Sequence, residues 1–182
     1  MGQALAESAL EAGHEVVIVS GPVEVVYPSA AQVIEVITTD EMLAVSEKEF
    51  PDCDGLIGVA APCDYRPVKV APQKISKTGE PLELHLVETP DIVATLSRRK
   101  RPDQWCVGFA LETEDRRFRA VTKLQKKSCD LMISNGPDAM SSLDNSVEIL
   151  AHDGSLVAAF SGSKATVARE ILAVIEARLI HR

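Results

Sequence analysis

The 182-residue chain is 46% hydrophobic and 25% charged, the balance of an ordinary folded domain long enough to bury most of its apolar surface. Its 27 acidic and 19 basic residues leave a net charge of −8, which argues against a general nucleic-acid or acidic-membrane binder but not against a local anion site. No apolar run approaches the roughly 18 to 20 residues that a membrane-spanning helix needs, and the N-terminus lacks the early basic cluster of a secretory signal.

Residues 2–12 read as a helix with an apolar face of Ala4, Leu5, Ala9 and Ala12, ended by Gly13. Val16–Val19 is a short apolar strand closed by Ser20-Gly21-Pro22, and Val33–Ile37 is a second. Thr39 is placed to cap a helix running to about Phe50, and Leu56–Ala61 is a third strand. Leu82–Val87 alternates like a strand, with Glu83 and His85 on one face. Pro90, in a first helical turn, begins a helix ending near Arg101, and Trp105–Ala110 is a strand. Thr113–Lys127 reads as a helix with Phe118, Val121 and Leu124 on its apolar face, followed by a strand at Leu131–Ser134. Val147–Leu150 and Leu156–Phe160 pair across His152-Asp153-Gly154, Asp-Gly being a strong hairpin signal. An amphipathic helix from Ser163 to about Ile180 closes the chain through Val167, Ile171, Val174 and Ile175. Apolar strands alternating with helices predict an α/β fold, a mainly parallel sheet covered on both faces, with a late antiparallel hairpin and one domain over 1–182.

The chemistry concentrates after the third strand. The run A-A-P-C-D-Y-R-P-V-K-V-A-P-Q-K-I-S-K (60–77) turns from apolar to charged at Asp64, Tyr65 and Arg66 and then carries Lys69, Lys74 and Lys77, stiffened by Pro67 and Pro72. In open α/β sheets ligands sit past the carboxyl ends of strands. Asp64 at that exit suits a metal, a hydroxyl or an amide; the alternative is an ion pair with Arg66 or a loop cap. The lysines suit closure over an anion, or a solubilising surface. Lys123 and Lys127 share one helix face one turn apart, either a solvated face or a clamp for a polyphosphate. Phe109, after Gly108 at a strand end, is core packing or a stacking surface for a base. Asn135 ends a strand as a turn residue or a reader of a base edge or ribose.

Neither G-x-G-x-x-G nor G-x-x-x-x-G-K-[ST] occurs, which disfavours a nicotinamide dehydrogenase. Ser161-Gly162-Ser163-Lys164 is a weak look-alike better read as a helix cap. Cys53, Cys63, Cys106 and Cys129 form no C-x-x-C pair, so a structural zinc site is not expected. Cys63, Cys106 and Cys129, in or beside apolar runs, are expected to be small buried side chains in a reduced, cytoplasmic setting.

Taken together, S-G-P-V (20–23), T-D-E-M (39–42), A-A-P-C-D-Y-R-P (60–67), V-A-P-Q-K-I-S-K (70–77), T-P-D-I-V (89–93), V-G-F-A-L-E-T (107–113), K-L-Q-K-K-S-C-D-L-M-I-S-N (123–135) and D-N (144–145) stand in the order and spacing of one family. The chain resembles phosphopantothenate–cysteine ligase, in many bacteria the carboxy-terminal half of the bifunctional coenzyme A biosynthesis flavoprotein. The resemblance implies a Rossmann-like three-layer fold, a homodimer, CTP and a divalent metal, usually Mg2+. It also implies 4′-phosphopantothenate and cysteine as substrates and an acyl-cytidylate intermediate.

Carried over by position, the resemblance puts Ala60, Ala61 and Asp64 where acyl group and nucleotide meet, and Lys74 on the nucleotide, in a flap around Lys77. Pro90, Asp91, Ile92 and Val93 contribute to the nucleotide pocket, Phe109 and Asn135 flank the nucleotide, and Lys123 and Lys127 bind its phosphates. Asp64 and Lys74 are the catalytic candidates, Gly2 matches the last glycine of the family's Gly-rich loop, and the metal ligands are not assigned.

Pro62 and Cys63 replace the usual valine and alanine before the acid, Ser76 replaces a common flap lysine, and Gly136 replaces an acid after the asparagine. The family's first strand, its Gly/Ser-rich phosphate loop and an asparagine that engages the intermediate would precede Met1-Gly2, so the chain is expected to be truncated relative to the family. The flavin-binding decarboxylase half is not in these residues, which makes a phosphopantothenoylcysteine decarboxylase an expected partner. The alternative is a nucleotide-binding module or dimer partner without catalysis.

Overall fold

The computed structural model describes residues 1–111, 116–135 and 144–180. Helix α1 (Gly2–Glu11) ends at Ala12, and Gly13 takes a left-handed φ of 89°, which a side chain would resist. Strands β1 (Val17–Ser20) and β2 (Gln32–Glu35) pair in parallel. Helix α2 (Thr39–Glu49) is capped one residue earlier than expected. Thr38 accepts from the Glu41 N–H at 3.1 Å while the Glu41 carboxylate returns to the Thr38 N–H at 3.2 Å, a capping box that Thr39 is one position too late to make.

Strand β3 (Gly55–Gly58) is shorter than predicted, so Ala60 and Ala61 lie on its exit loop. From there to residue 88 the chain forms an arm whose base is β4 (Tyr65–Pro67) paired antiparallel with β5 (Leu86–Glu88). The alternation at Leu82–Val87 therefore yields a strand only over its end, where β4 offers a partner. Beyond the Val68 N–H to His85 carbonyl bond the arm has no described ladder. Two proline-containing segments cannot donate a full set of hydrogen bonds.

Helix α3 (Ile92–Arg99) starts after Asp91, which caps it; Pro90 precedes the cap. Strand β6 (Trp105–Leu111), helix α4 (Arg116–Lys127), strand β7 (Leu131–Asn135), the hairpin β8 (Asp144–Ala151) and β9 (Leu156–Ser163), and helix α5 (Lys164–Ile175) follow, with a π-helical turn at Glu176–Ile180. The expected start of α4 at Thr113 lies outside the described residues. The hairpin forms across the predicted turn, with Gly154 at φ 81° and Asp153 accepting from the Ser155 N–H at 2.9 Å. Ser163 caps α5, the better of the two readings of the Ser161–Lys164 run.

The larger sheet runs β3-β6-β7-β8-β9, parallel through β7 and antiparallel after it. The β1-β2 pair is separate from it. One face packs under α1 and α5, through Val107, Ile133, Val147 and Ile149 against Leu5, Val167 and Ile171. The other packs under α4 through Met132 and Leu150 against Ala120 and Leu124, and under α2 and α3 through Cys106 against Phe50 and Leu96. The result is the expected three-layer α/β architecture. Phe118 departs from it. It is 75% exposed, because α4 turns Ala120 and Leu124 inward and leaves Phe118 on its outer side. Cys63 also departs: it is exposed on the exit loop, while Cys106 and Cys129 are buried as expected and Cys53 is half-buried.

Candidate functional site at the carboxyl ends of the strands

Strands β3, β6 and β7 run side by side, so their carboxyl ends fall on one rim of the sheet. On that rim Gly58 lies opposite Gly108, Phe109 opposite Ile133 and Leu111 opposite Asn135. Phe109 is half-buried and packs on the α1–α5 core together with Val59. Gly2, at the start of α1, reaches the same place: a Cβ on it would lie 4.0 Å from Val59 Cγ1. Helix α1 thus directs its amino end at the exit of β3, the orientation in which backbone N–H groups favour anions.

The exit loop is pinned to the start of α3. The Thr89 N–H donates to the Asp64 carbonyl at 2.9 Å, and the Thr89 hydroxyl donates to the Cys63 carbonyl. This holds the Asp64 backbone against Thr89, the residue that leads into Pro90 and the Asp91 cap of α3. Thr89 was part of a recognised motif without an assigned role. Its cross-link is invisible in a sequence because it joins residues 25 and 26 positions apart. Ile92 is buried on the α2–α3 core, whereas Val93 leans onto β3. A Cβ on Gly58 would come within 2.4 Å of Val93 Cγ2, so the glycine is what lets α3 sit this close to the rim.

Asp91 accepts from the Ala94 N–H at 3.0 Å and pairs with Lys127 Nζ at 3.0 Å. Burial alone would raise its pKa, but the Ala94 N–H and the Lys127 ammonium outweigh burial and hold it below the ordinary Asp value. Lys127 is therefore neither a free solvated face nor an open clamp; its charge is delivered to the start of α3 and balanced there. Lys123, one turn earlier, is exposed. Asp64 does not pair with Arg66, which instead reaches Asp40 in the first turn of α2 at 3.1 Å and fastens the arm to the body. Asp64 is exposed, and its carboxylate has no ion pair among the described residues. Lys74 and Lys77 lie out on the arm, exposed, away from the rim contacts. Direct contacts join the exit loop of β3, the start of α3 and Lys127 of α4, Phe109 and Asn135 lie at the ends of β6 and β7, and the two flap lysines stand apart on the arm.

The S-G-P-V run (20–23) closing β1 lines a cavity of about 190 Å³ with Tyr27 and Glu35, and Ser20 and Tyr27 share a hydrogen bond of 2.9 Å. Among the described residues no group of three or more His, Cys, Asp or Glu is clustered as a metal cage. The donors present fit a different arrangement, since Mg2+ is commonly held by one or two carboxylates together with substrate phosphates. Asp64 is the carboxylate available for that.

Residues 1–179 match the family described as DNA/pantothenate metabolism flavoprotein C-terminal domain. The chain belongs to this family. It is 35% identical over 187 residues to the coenzyme A biosynthesis bifunctional protein CoaBC of Vibrio vulnificus (strain CMCP6), covering 100% of this chain and 46% of that protein. The chain thus spans less than half the length of that curated relative. Among solved structures, a crystal structure of the C-terminal domain of CoaBC superposes with a TM-score of 0.80 at 31% identity, covering 100% of this chain and 84% of that one. A Cab2 variant in complex with phosphopantothenate-cysteine superposes at 0.76 with 14% identity over 97% of this chain and 76% of that one, a likeness of fold. Among the described residues no helix is long and apolar enough to cross a membrane.

Proposed function

We propose that this domain joins 4′-phosphopantothenate to cysteine at the expense of CTP, the reaction the sequence resemblance implies. What supports the reading is the chain of contacts that ties the Asp64 loop to the capped start of α3 and α3 to Lys127, beside the sheet whose β6 and β7 end at Phe109 and Asn135. In the first step the pantothenate carboxylate attacks the α-phosphorus of CTP and pyrophosphate leaves. In the second the cysteine amine attacks the acyl carbon, CMP leaves and the amide forms. Both early reactants are anions, so the protein's task is alignment and charge balance. Backbone N–H groups opening α3 and α1 face the phosphates. Lys127 and Lys123 supply positive charge, Phe109 and Asn135 flank the nucleotide, and Ala60 and Ala61 admit the reacting groups close to the backbone. Asp64 would be the protein ligand of a phosphate-bound Mg2+, which supplies further charge neutralisation when present.

Lys74 and Lys77 complete the site by closure of the arm. The exposed apolar side chains along it, Val68, Val70, Ile75, Leu82 and Leu84, support a homodimer. The break between β1 and β3 supports an additional strand with its phosphate loop at that point of the sheet. A phosphopantothenoylcysteine decarboxylase is the expected partner for the product.

The test is CMP release from CTP by the natural full-length protein, with a strict requirement for both phosphopantothenate and cysteine. CTP binding without CMP release would leave a nucleotide-binding module instead. Within an active protein, Lys74→Ala is expected to lower turnover about 10²-fold with an unchanged melting temperature, because the side chain is exposed. Wild-type turnover in that variant would make the arm lysine a surface charge only.

A further inference from the structure

Among the described residues two buried carboxamide oxygens, Asn135 Oδ1 and Asn145 Oδ1, have no hydrogen-bond partner. Roughly nine in ten buried polar groups in native proteins are paired, so each exception calls for a cause. These two are not scattered. Side chains alternate along a strand, and Asn145 shares its face of β8 with Val147 and Ile149, both packed against α5. Asn135 shares its face of β7 with Leu131 and Ile133 in the same core and lies opposite Val147. The two asparagines are therefore diagonal neighbours on one face of the sheet, a relation that leaves residues about 7–8 Å apart and their Cβ atoms somewhat closer. Phe109 sits on that same face, one strand further along the rim.

Asn145 is 3% exposed, the more deeply buried of the pair. Across the hairpin it faces Gly162, which has no side chain to fill the space beside it and which precedes the Ser163 cap of α5. Among the described residues its neighbours on this face, Val147, Ile133 and Phe109, offer no side-chain donor. An asparagine here contributes an acceptor without adding negative charge. That is the property wanted beside an anionic ligand whose N–H must be recognised.

We infer that Asn145 acts with Asn135 as a ligand-binding residue, the two carboxamide oxygens accepting hydrogen bonds from N–H donors of a bound substrate. The inference rests on the ligase reading, in which three substrates carry such donors: the exocyclic amine of the cytosine base, the amide N–H of the pantothenoyl chain and the amine of cysteine. Asn145 was noted in the sequence only as half of a D-N pair and carries no role from the resemblance.

Asn145→Leu keeps the branched shape and heavy-atom count of the side chain and deletes the unpaired acceptor. In the full-length protein, calorimetric titration with CTP, phosphopantothenate and cysteine in turn should show one dissociation constant raised tenfold or more while the other two hold. The melting temperature should be unchanged or higher, because a buried unpaired acceptor has been removed. The ligand whose affinity falls identifies the donor. If all three constants match wild type, or if the melting temperature falls with binding intact, the carboxamide is structural and the inference fails. Asn145→Ala, with the same readouts, decides the matter should the leucine variant not fold. Failure of the wild-type protein to bind any of the three would instead refute the ligase reading, and this inference with it.

Discussion

Replacing Asp91 with Asn removes one charge but keeps a side-chain oxygen that can accept from the Ala94 N–H at the start of α3. Asn and Asp cap helices about equally well, so the change is confined to the pair with Lys127 and to the charge at the helix end. The pair is 3.0 Å long between side chains 24% and 42% exposed, a partly solvated setting. Pairs of this kind contribute about 0.2–1 kcal/mol, and an acid at a helix N-terminus about 0.3–1 kcal/mol. Asp91→Asn should therefore cost roughly 0.5–2 kcal/mol, or about 1–8 °C in Tm for a chain of this length. Asp91→Ala also loses the cap, a further ~1 kcal/mol.

For nucleotide binding the two partners should part company. If Lys127 binds phosphate as proposed, Lys127→Ala removes a charge-assisted hydrogen bond and should weaken CTP binding by about 1.5–3 kcal/mol, roughly 10- to 150-fold. Asp91→Asn frees the ammonium from its counter-charge and should bind CTP as tightly as wild type or more so. Thermal denaturation with calorimetric CTP titration of the single variants measures both quantities. Equal stability losses with no change in CTP affinity for either variant would reduce the pair to a structural tie and refute the phosphate role of Lys127. The pH dependence is a second check. The Asp91 carboxyl is held below its ordinary value, so its contribution is complete above that value and is lost as pH falls through the folded-state value. The stability gap between wild type and Asp91→Asn should be flat near neutrality and close as pH drops below about 4.

Two further outcomes follow from packing. Gly58→Ala should cost about 1–3 kcal/mol and weaken CTP binding, because its Cβ would drive Val93 and the start of α3 off the rim. Adding Val93→Ala should restore much of both, and a double-mutant cycle with no coupling would show that the contact does not position α3. In the native protein at pH 8, a thiol reagent should modify exposed Cys63 quickly, while Cys106 and Cys129 should react only on unfolding. Burial raises both of the latter thiols, Cys129 to about 12. Rapid native-state labelling of Cys129, read by peptide mass analysis, would contradict that burial.

The layer architecture was legible because it rests on local signals. Apolar runs at Trp105–Leu111 and Leu131–Asn135, the Asp153-Gly154 turn and Gly13 each carry their instruction within a few residues. What sequence reading missed depends on pairing between distant segments. β4 exists because β5 lies beside it, and Leu82–Glu83–Leu84 alternates without becoming strand because nothing described pairs with it. Phe118 shows the same limit from the other side. Its spacing with Val121 and Leu124 fits a helical stripe, but which edge of a broad apolar stripe is turned outward is set by how α4 seats on β6 and β7.

At the site, residue types were readable and their states were not. Asp64, Asp91 and Lys127 stand out as charged groups near strand and helix ends, yet the sequence pairs Asp64 naturally with Arg66 two positions away. The fold gives Arg66 to Asp40 and Lys127 to Asp91, across 26 and 36 positions. The pair with Asp91 keeps the half-buried Lys127 ammonium from standing alone. Asn145 was harder still. An asparagine opening a strand reads as turn chemistry, and only depth turns it into a signal. At 3% exposure with an unpaired oxygen it no longer behaves as a turn residue, and it shares its sheet face with Asn135 and, two strands away, Phe109.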